Sequence, residues 1–175
     1  MVNNIEGKIK SSLKSYPDFP KKGILFRDVL TILRDPSLFS ELIKEISTFD
    51  SIKNSEAIVA IDARGFIFGS ALSLYIQKPL IFARKPGKLP GNLITNSYQL
   101  EYGSNELCLQ KESLKDFTSF SIIDDLLATG GTASSVEKML IKENKKVTGL
   151  VVVVELSDLD GRKILDCPVD SVVSF

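Results

Sequence analysis

The sequence predicts an α/β protein, with a central and mostly parallel sheet flanked by helices. Three observations lead there. Apolar, β-branched runs at 57–61, 80–83, 121–123 and 147–156 read as strands buried on both faces. Segments with helical apolar spacing alternate with them, as in β-α-β units. Residues capable of chemistry follow three of the strand ends: Ala63-Arg64, Arg84-Lys85, and the run from Asp124 to Thr132. In open α/β sheets, ligands sit outside the carboxyl ends of the strands, so these three groups are expected to share one crevice.

The elements follow in order. Ile5, Ile9 and Leu13 recur every four residues, which predicts a helix over 4–15 with a narrow apolar face. The segment YPDFPKK at 16–22 is punctuated by prolines and reads as a turn or an extended piece. GILFRD at 23–28 is a short apolar run, and on spacing alone Ile24, Leu25 and Phe26 read as core packing. Asp35-Pro36 is an N-cap followed by proline at the first helical position. The helix it opens turns Leu38, Phe39, Leu42, Ile43 and Ile46 inward. The strand at 57–61 leads into Asp62-Ala63-Arg64-Gly65. A helix at 66–76 comes next, with Gly69, Ser70 and Ala71 small enough for close packing. The strand at 80–83 ends in the basic residues Arg84, Lys85 and Lys88. Residues 85–96 hold Pro86, Gly87, Pro90 and Gly91 and read as a mobile loop. Residues 98–102 and 106–110 read as a hairpin turning at Gly103-Ser104-Asn105. After the 120–135 stretch come a long strand at 147–156, a short helix at 160–165 and a last strand at 171–175. Repeats, linkers and low-complexity tracts are absent, so a single domain over 1–175 is expected.

Composition narrows the function. Lys plus Arg equals Asp plus Glu at 22 each, which argues against a nucleic-acid or membrane-surface protein. No apolar run is long enough to span a membrane, and the N-terminus lacks a signal-peptide core, so export is not expected. Cys108 and Cys167 are too few for a disulfide framework and fit a reducing cytoplasm. The chain has no histidine. That excludes Ser-His-Asp and Cys-His catalysis and histidine metal sites. Acid–base work falls to Glu, Asp, Lys, Tyr or a ligand phosphate.

The stretch FSIIDDLLATGGTASS, 120–135, carries the chemistry. A buried strand ends in Asp124 and Asp125, expected at a solvated strand end. A glycine turn follows, and then a helix whose inward face is Ala133, Val136, Met139 and Leu140. The free amides and positive dipole end of a helix N-terminus suit a phosphate. Gly130 and Gly131 allow close backbone approach, while Thr129 and Thr132 add hydroxyl donors. The adjacent carboxylates can accept hydrogen bonds from sugar hydroxyls or orient a hydrated Mg²⁺. Phosphate beside diol is the pattern of a ribose 5-phosphate. No lysine follows the glycines, so this is not a Walker A loop. Taken alone, Arg64 also reads as a surface salt-bridge residue, and the basic cluster as a solvated face.

The string DDLLATGGT resembles the phosphoribosyl pyrophosphate (PRPP) motif of type I phosphoribosyltransferases. YPDFPKKGILFRDV, DARGFIFG, RKPGKLPG and SYQLEYG resemble adenine phosphoribosyltransferases, in the order that family has them. The resemblance covers nearly the whole chain. It implies the type I phosphoribosyltransferase fold, with a small N-terminal hood over about 1–35 and a flexible hairpin lid. It implies a glycosyltransferase of purine salvage that converts PRPP and adenine to AMP and pyrophosphate, with Mg²⁺ as cofactor, as a cytoplasmic homodimer. It implies that Ala128, Thr129, Gly130, Gly131 and Thr132 hold the 5-phosphate and that Asp124 and Asp125 contact the ribose hydroxyls. Ala63 and Arg64 would face the pyrophosphate, with Arg84, Lys85 and Lys88 adding positive charge. Phe26 would stack on the purine, main-chain groups of Leu25 and Arg27 would read its edge, and Leu156 would cover its other side. Glu101 and Tyr102 would ride on the lid, with Glu101 either moving the proton of the base or positioning it. No residue would ligate the metal directly; Mg²⁺ would be held through substrate and water near Asp124 and Asp125. Ala63 stands where many relatives have serine, which removes one hydroxyl near the pyrophosphate. A non-enzymatic PRPP or purine sensor on the same fold is the rival class, and it would be expected to carry an added DNA-binding domain or a basic face. An enzyme for hypoxanthine, guanine or xanthine is the rival within the class.

Overall fold

The structure is a computed structural model that describes residues 5–100 and 103–175. The chain opens with helix α1 (Ile5–Ser12) and a small antiparallel pair, β1 (Lys14–Pro17) and β2 (Leu25–Asp28), in which Tyr16 lies opposite Phe26. A 3-10 turn at 29–34 leads to α2 (Pro36–Ile46) and to the single turn α3 (Asp50–Lys53). Next come β3 (Ala57–Ile61), α4 (Gly65–Ile76), β4 (Leu80–Ala83), and the hairpin of β5 (Leu93–Leu100) and β6 (Gly103–Gln110). The rest is β7 (Ser119–Leu127), α5 (Gly131–Lys142), β8 (Lys146–Glu155) and β9 (Val169–Ser174).

The five-stranded sheet is wholly parallel, in the order β4-β3-β7-β8-β9. Both faces are covered, and strand alternation divides the core in two. Ile58, Ala60, Ile123, Val151 and Val153 face α1, α2 and α4. Val59, Ile61, Phe120, Ile122, Leu150 and Val152 face α5 and the hairpin. Each fully buried aliphatic side chain stabilises the fold by about 1.5–3 kcal/mol relative to exposure. That is why both faces of these strands are apolar. The end of α2 that starts the core is set as its sequence requires: Asp35 accepts from the amides of Ser37 and Leu38 at 3.0 and 3.1 Å.

Several boundaries differ from the sequence reading. Helix α1 ends at Ser12 because Lys14 already pairs with Asp28. Residues 93–96, expected in a loop, belong to β5, and Gly103-Ser104-Asn105, expected as the hairpin turn, are paired inside β6. Packing decided this. Ile94, Leu107 and Leu109 are buried against the sheet, and the amide of Asn96 donates to Ser135 of α5 at 3.0 Å, so the whole hairpin base is pulled into register. The helix expected at 160–165 is a pair of 3-10 turns, 157–159 and 161–164, broken by left-handed Asp160 at φ 54°. No helix among the described residues is long and apolar enough to cross a membrane.

Candidate active site

A cleft of about 360 Å³ opens at the carboxyl ends of β3 and β7. Its walls are Asp62, Ala63 and Arg64 after β3, Lys85 after β4, and residues 124–133 at the end of β7 and the start of α5; Leu150 and Val152 also line it. The three strand ends read from sequence therefore meet in one place.

The floor is the glycine turn. Gly130 takes φ +83°, the left-handed region open to glycine, and no side chain caps α5. The amides of the first turn of α5 are thus available to an anion, as at other helix N-termini. Gly130 also lies so close to the Gly161 carbonyl that a Cβ would clash with it. On the other wall, Gly65 opens α4 directly against β7. A Cβ there would lie 2.9 Å from the Ile123 carbonyl and 3.0 Å from Asp124 Oδ1. The peptide bond between Asp62 and Ala63 is cis.

Asp125 is not at a solvated strand end. Both acids lie within β7; Asp125 is only 4% exposed, while Asp124 is half-buried where it lines the cleft. The strand extends past them because its pairing with β8 continues to Leu127 opposite Glu155. Asp124 Oδ1 accepts from the Asp125 amide at 2.8 Å. Burial, reinforced by the neighbouring Asp125 charge, pushes the Asp124 carboxyl well above its usual range. Burial also raises Asp125, and Arg64 opposes it. Arg64 Nε stands 2.9 Å from Asp125 Oδ2, an ion pair without hydrogen-bond alignment that leaves this buried oxygen lacking a hydrogen-bond partner. Among the described residues no three His, Cys, Asp or Glu side chains converge on a common point. A pair of carboxylates lining a polar cleft fits a cation shared with ligand oxygens and water.

Arg64 also joins the cleft to the hood. Its guanidinium lies 5.8 Å from the Phe26 ring centroid, and Phe26 meets Phe19 edge-on at 5.1 Å. Leu25 is 48% exposed beside it. The Arg27 guanidinium stacks on the Phe175 ring at 3.4 Å, tying the hood strand to the end of the chain. Leu156 is half-buried, and its amide donates to the Leu127 carbonyl at 2.9 Å, which puts it beside the end of β7. Of the three basic residues after β4, Lys85 alone lines the cleft. Arg84 is turned to Asp62 at 3.2 Å and lies 5.5 Å from the Phe66 ring, while the Lys88 carbonyl accepts from Arg84 at 3.4 Å. Glu101 and Tyr102 lie outside the described residues.

Sequence reasoning assigned no role to Asp62, Glu155 or the 160–164 segment. The signal for Glu155 was a lone acid closing an apolar β-branched run. It is 5% exposed and held ionised by Arg162, whose hydrogen bonds pull its carboxyl below the usual range.

The Phosphoribosyl transferase domain model matches residues 33–172. An adenine phosphoribosyltransferase of Prochlorococcus marinus is 56% identical over 171 residues, covering 98% of this chain and 99% of that protein. One from Mycoplasmopsis synoviae is 44% identical over 96% of this chain and 99% of that protein. Among solved structures, the Saccharomyces cerevisiae adenine phosphoribosyltransferase, complexed with an imino-altritol bisphosphate and adenine, superimposes with a TM-score of 0.91 at 34% identity, covering 98% of this chain and 99% of that one.

Proposed function

This chain belongs to the adenine phosphoribosyltransferase family, and from that premise we propose that it transfers the 5-phosphoribosyl group of PRPP to adenine, releasing pyrophosphate and forming AMP. The observation that carries the reading is the position of Arg64, between Asp125 of the ribose-phosphate cleft and the Phe26 ring of the hood. A purine stacked on Phe26 would lie next to a ribose held in the cleft.

The residues divide the work. The turn 128–132 binds the 5-phosphate through amides and threonine hydroxyls. Asp124 and Asp125 accept from the ribose hydroxyls, with Arg64 holding the buried Asp125 oxygen by its charge. Arg64 and Lys85 stabilise charge building on the leaving pyrophosphate, the electrostatic task that dominates such a transfer. Arg84 and Lys88 contribute positive charge from further out. Mg²⁺, held near Asp124 and Asp125 through water and substrate oxygens, would neutralise part of the polyanion. Half the peptide groups of β2, in a two-stranded sheet, point away from their partner strand. That supports base reading by the main chain of Leu25 and Arg27, with Leu156 opposite Phe26. Glu101 is the proposed acid–base group for the purine. Purine salvage in a reducing cytoplasm fits two free cysteines, of which Cys167 has its thiol pushed up to about 12, first by burial and then by Glu137. A homodimer is part of the same reading, supported by exposed Leu74, Tyr75 and edge-strand Phe82.

The test is pyrophosphate release from PRPP with adenine, hypoxanthine, guanine or orotate in turn. An acceptor for the exocyclic amine and a donor for N1 suit adenine and oppose hypoxanthine at both positions. Sites built this way discriminate by about 10⁴-fold or more in kcat/KM. Comparable values for adenine and hypoxanthine would refute the main-chain reading.

A further inference from the structure

Gly161 and the phosphate turn meet backbone to backbone. A Cβ on Gly161 would collide with the Ala128 carbonyl, and one on Gly130 with the Gly161 carbonyl. The turn therefore rests directly on residue 161, and its height depends on where residue 161 is held. The surrounding segment has little regular structure to hold it: two 3-10 turns broken at Asp160, with Gly161 buried between exposed neighbours.

The anchor is the next residue. The Arg162 guanidinium forks onto both oxygens of Glu155, with Nη2 donating to Oε2 at 2.6 Å and Nε donating to Oε1. Nη1 donates to the Val169 carbonyl at 2.5 Å, and Nη2 also reaches Ser171 at 3.2 Å. Ser171 and Ser174 donate to Glu155 Oε2 at 2.9 and 3.4 Å. Glu155 sits opposite Leu127 in the β7–β8 register, one residue before the turn begins. Anchor and turn thus hang from the same rung of the sheet. A forked pair on a buried carboxylate holds geometry far better than an exposed lysine pair.

We propose that Arg162, held by Glu155, is a positioning residue for the phosphate turn: it seats Gly161 beneath Ala128 and Gly130 and so sets the spacing of the amides that take the 5-phosphate. This rests on the PRPP reading above. Several amides must reach one phosphate together, and displacement of a binding group by about an ångström is costly. Arg162 lies outside the cleft lining, so its effect on a ligand there would pass through the turn.

The experiment is calorimetric titration of Arg162→Met, Arg162→Lys and Glu155→Gln with ribose 5-phosphate and, separately, with pyrophosphate, alongside melting curves. Pyrophosphate binds on the Arg64 and Lys85 side and serves as the internal control. Positioning predicts that Arg162→Met weakens ribose 5-phosphate by about tenfold or more with pyrophosphate affinity held within about twofold, and that Arg162→Lys recovers part of the loss. Unchanged ribose 5-phosphate affinity in a folded variant would overturn the proposal. Equal losses for both ligands, or failure of all three variants to fold, would make the pair purely structural and overturn it as well. Unmodified protein that binds neither PRPP nor ribose 5-phosphate would instead remove the transferase reading itself.

Discussion

Asp124 shows how a single residue can work against the fold it belongs to. Its carboxyl is raised by burial and by Asp125. The folded protein therefore holds a proton more tightly than the unfolded chain, whose aspartates titrate near about 4. Between that value and the raised one, the native state binds more protons, so stability falls as pH rises through the window. Above it, the charged side chain destabilises the unliganded protein fully. Asp124→Asn should then raise the melting temperature at neutral pH, by about 2–4 °C for each kcal/mol relieved, and flatten the decline with pH. PRPP affinity and turnover should fall in Asp124→Asn and further with Asp125→Asn. Unchanged PRPP affinity in the double variant would remove the ribose-contact role. Glu101→Leu should lower kcat by about 10²-fold if it moves a proton, with a changed pH–rate profile. A mild, joint change in kcat and KM with the profile intact would assign it to positioning.

Elements are placed by close contacts that only small residues permit. Gly69 of α4 lies where a Cβ would come within 2.7 Å of Ala60 Cβ and 3.1 Å of Ile123 Cγ2. Gly69→Val must push α4 off β3 and β7, at a cost of about 1–3 kcal/mol. Because α4 begins at Gly65 against Asp124, the shift should also reach the cleft. Urea unfolding and PRPP titration on one sample should show both losses. Lost stability with unchanged PRPP affinity would mean that the helix start is held independently of its middle. At the opposite end of the same helix, Lys78 donates to the Ile52, Lys53 and Ser55 carbonyls at 2.5, 2.9 and 2.5 Å, binding the α3 turn to the approach to β4.

At the scale of the molecule, the hood and the sheet are joined by cation–ring contacts: Arg64 over Phe26, and Arg27 and Lys10 over Phe175. Phe26→Ala should raise the KM for adenine by removing the stacking face, without making hypoxanthine a good substrate. Equal KM values would place the purine elsewhere. Sedimentation equilibrium should give twice the chain mass, and glutamate at Leu74 and Tyr75 should shift it toward monomer, because these side chains are 75% and 54% exposed on the helix beside edge strand β4. A monomeric mass for the unmodified protein would refute it.

The parallel sheet and the meeting of three strand ends can be read from the residues in order. Both follow from local signals: unbroken β-branched runs for strands buried on both faces, and glycines and acids placed straight after them. The run at 120–132 carried its acids and glycines in order along the chain, so the glycine turn that lines the cleft was legible residue by residue. The depth of Asp125 was legible only in the folded chain, because the length of β7 depends on its pairing with β8. Only the fold showed that Lys85 lines the cleft while Arg84 turns to Asp62, a choice among adjacent cations set by a carboxylate twenty-two residues away. It also moved the hairpin turn away from Gly103, where composition suggested it, since burial of Ile94, Leu107 and Leu109 outweighed the turn preference of three small residues. The contact of Gly161 with Ala128 and Gly130 lies furthest from the reach of sequence. It joins segments more than thirty residues apart through backbone atoms alone, and backbone contact leaves no pattern in side chains beyond the glycines that permit it.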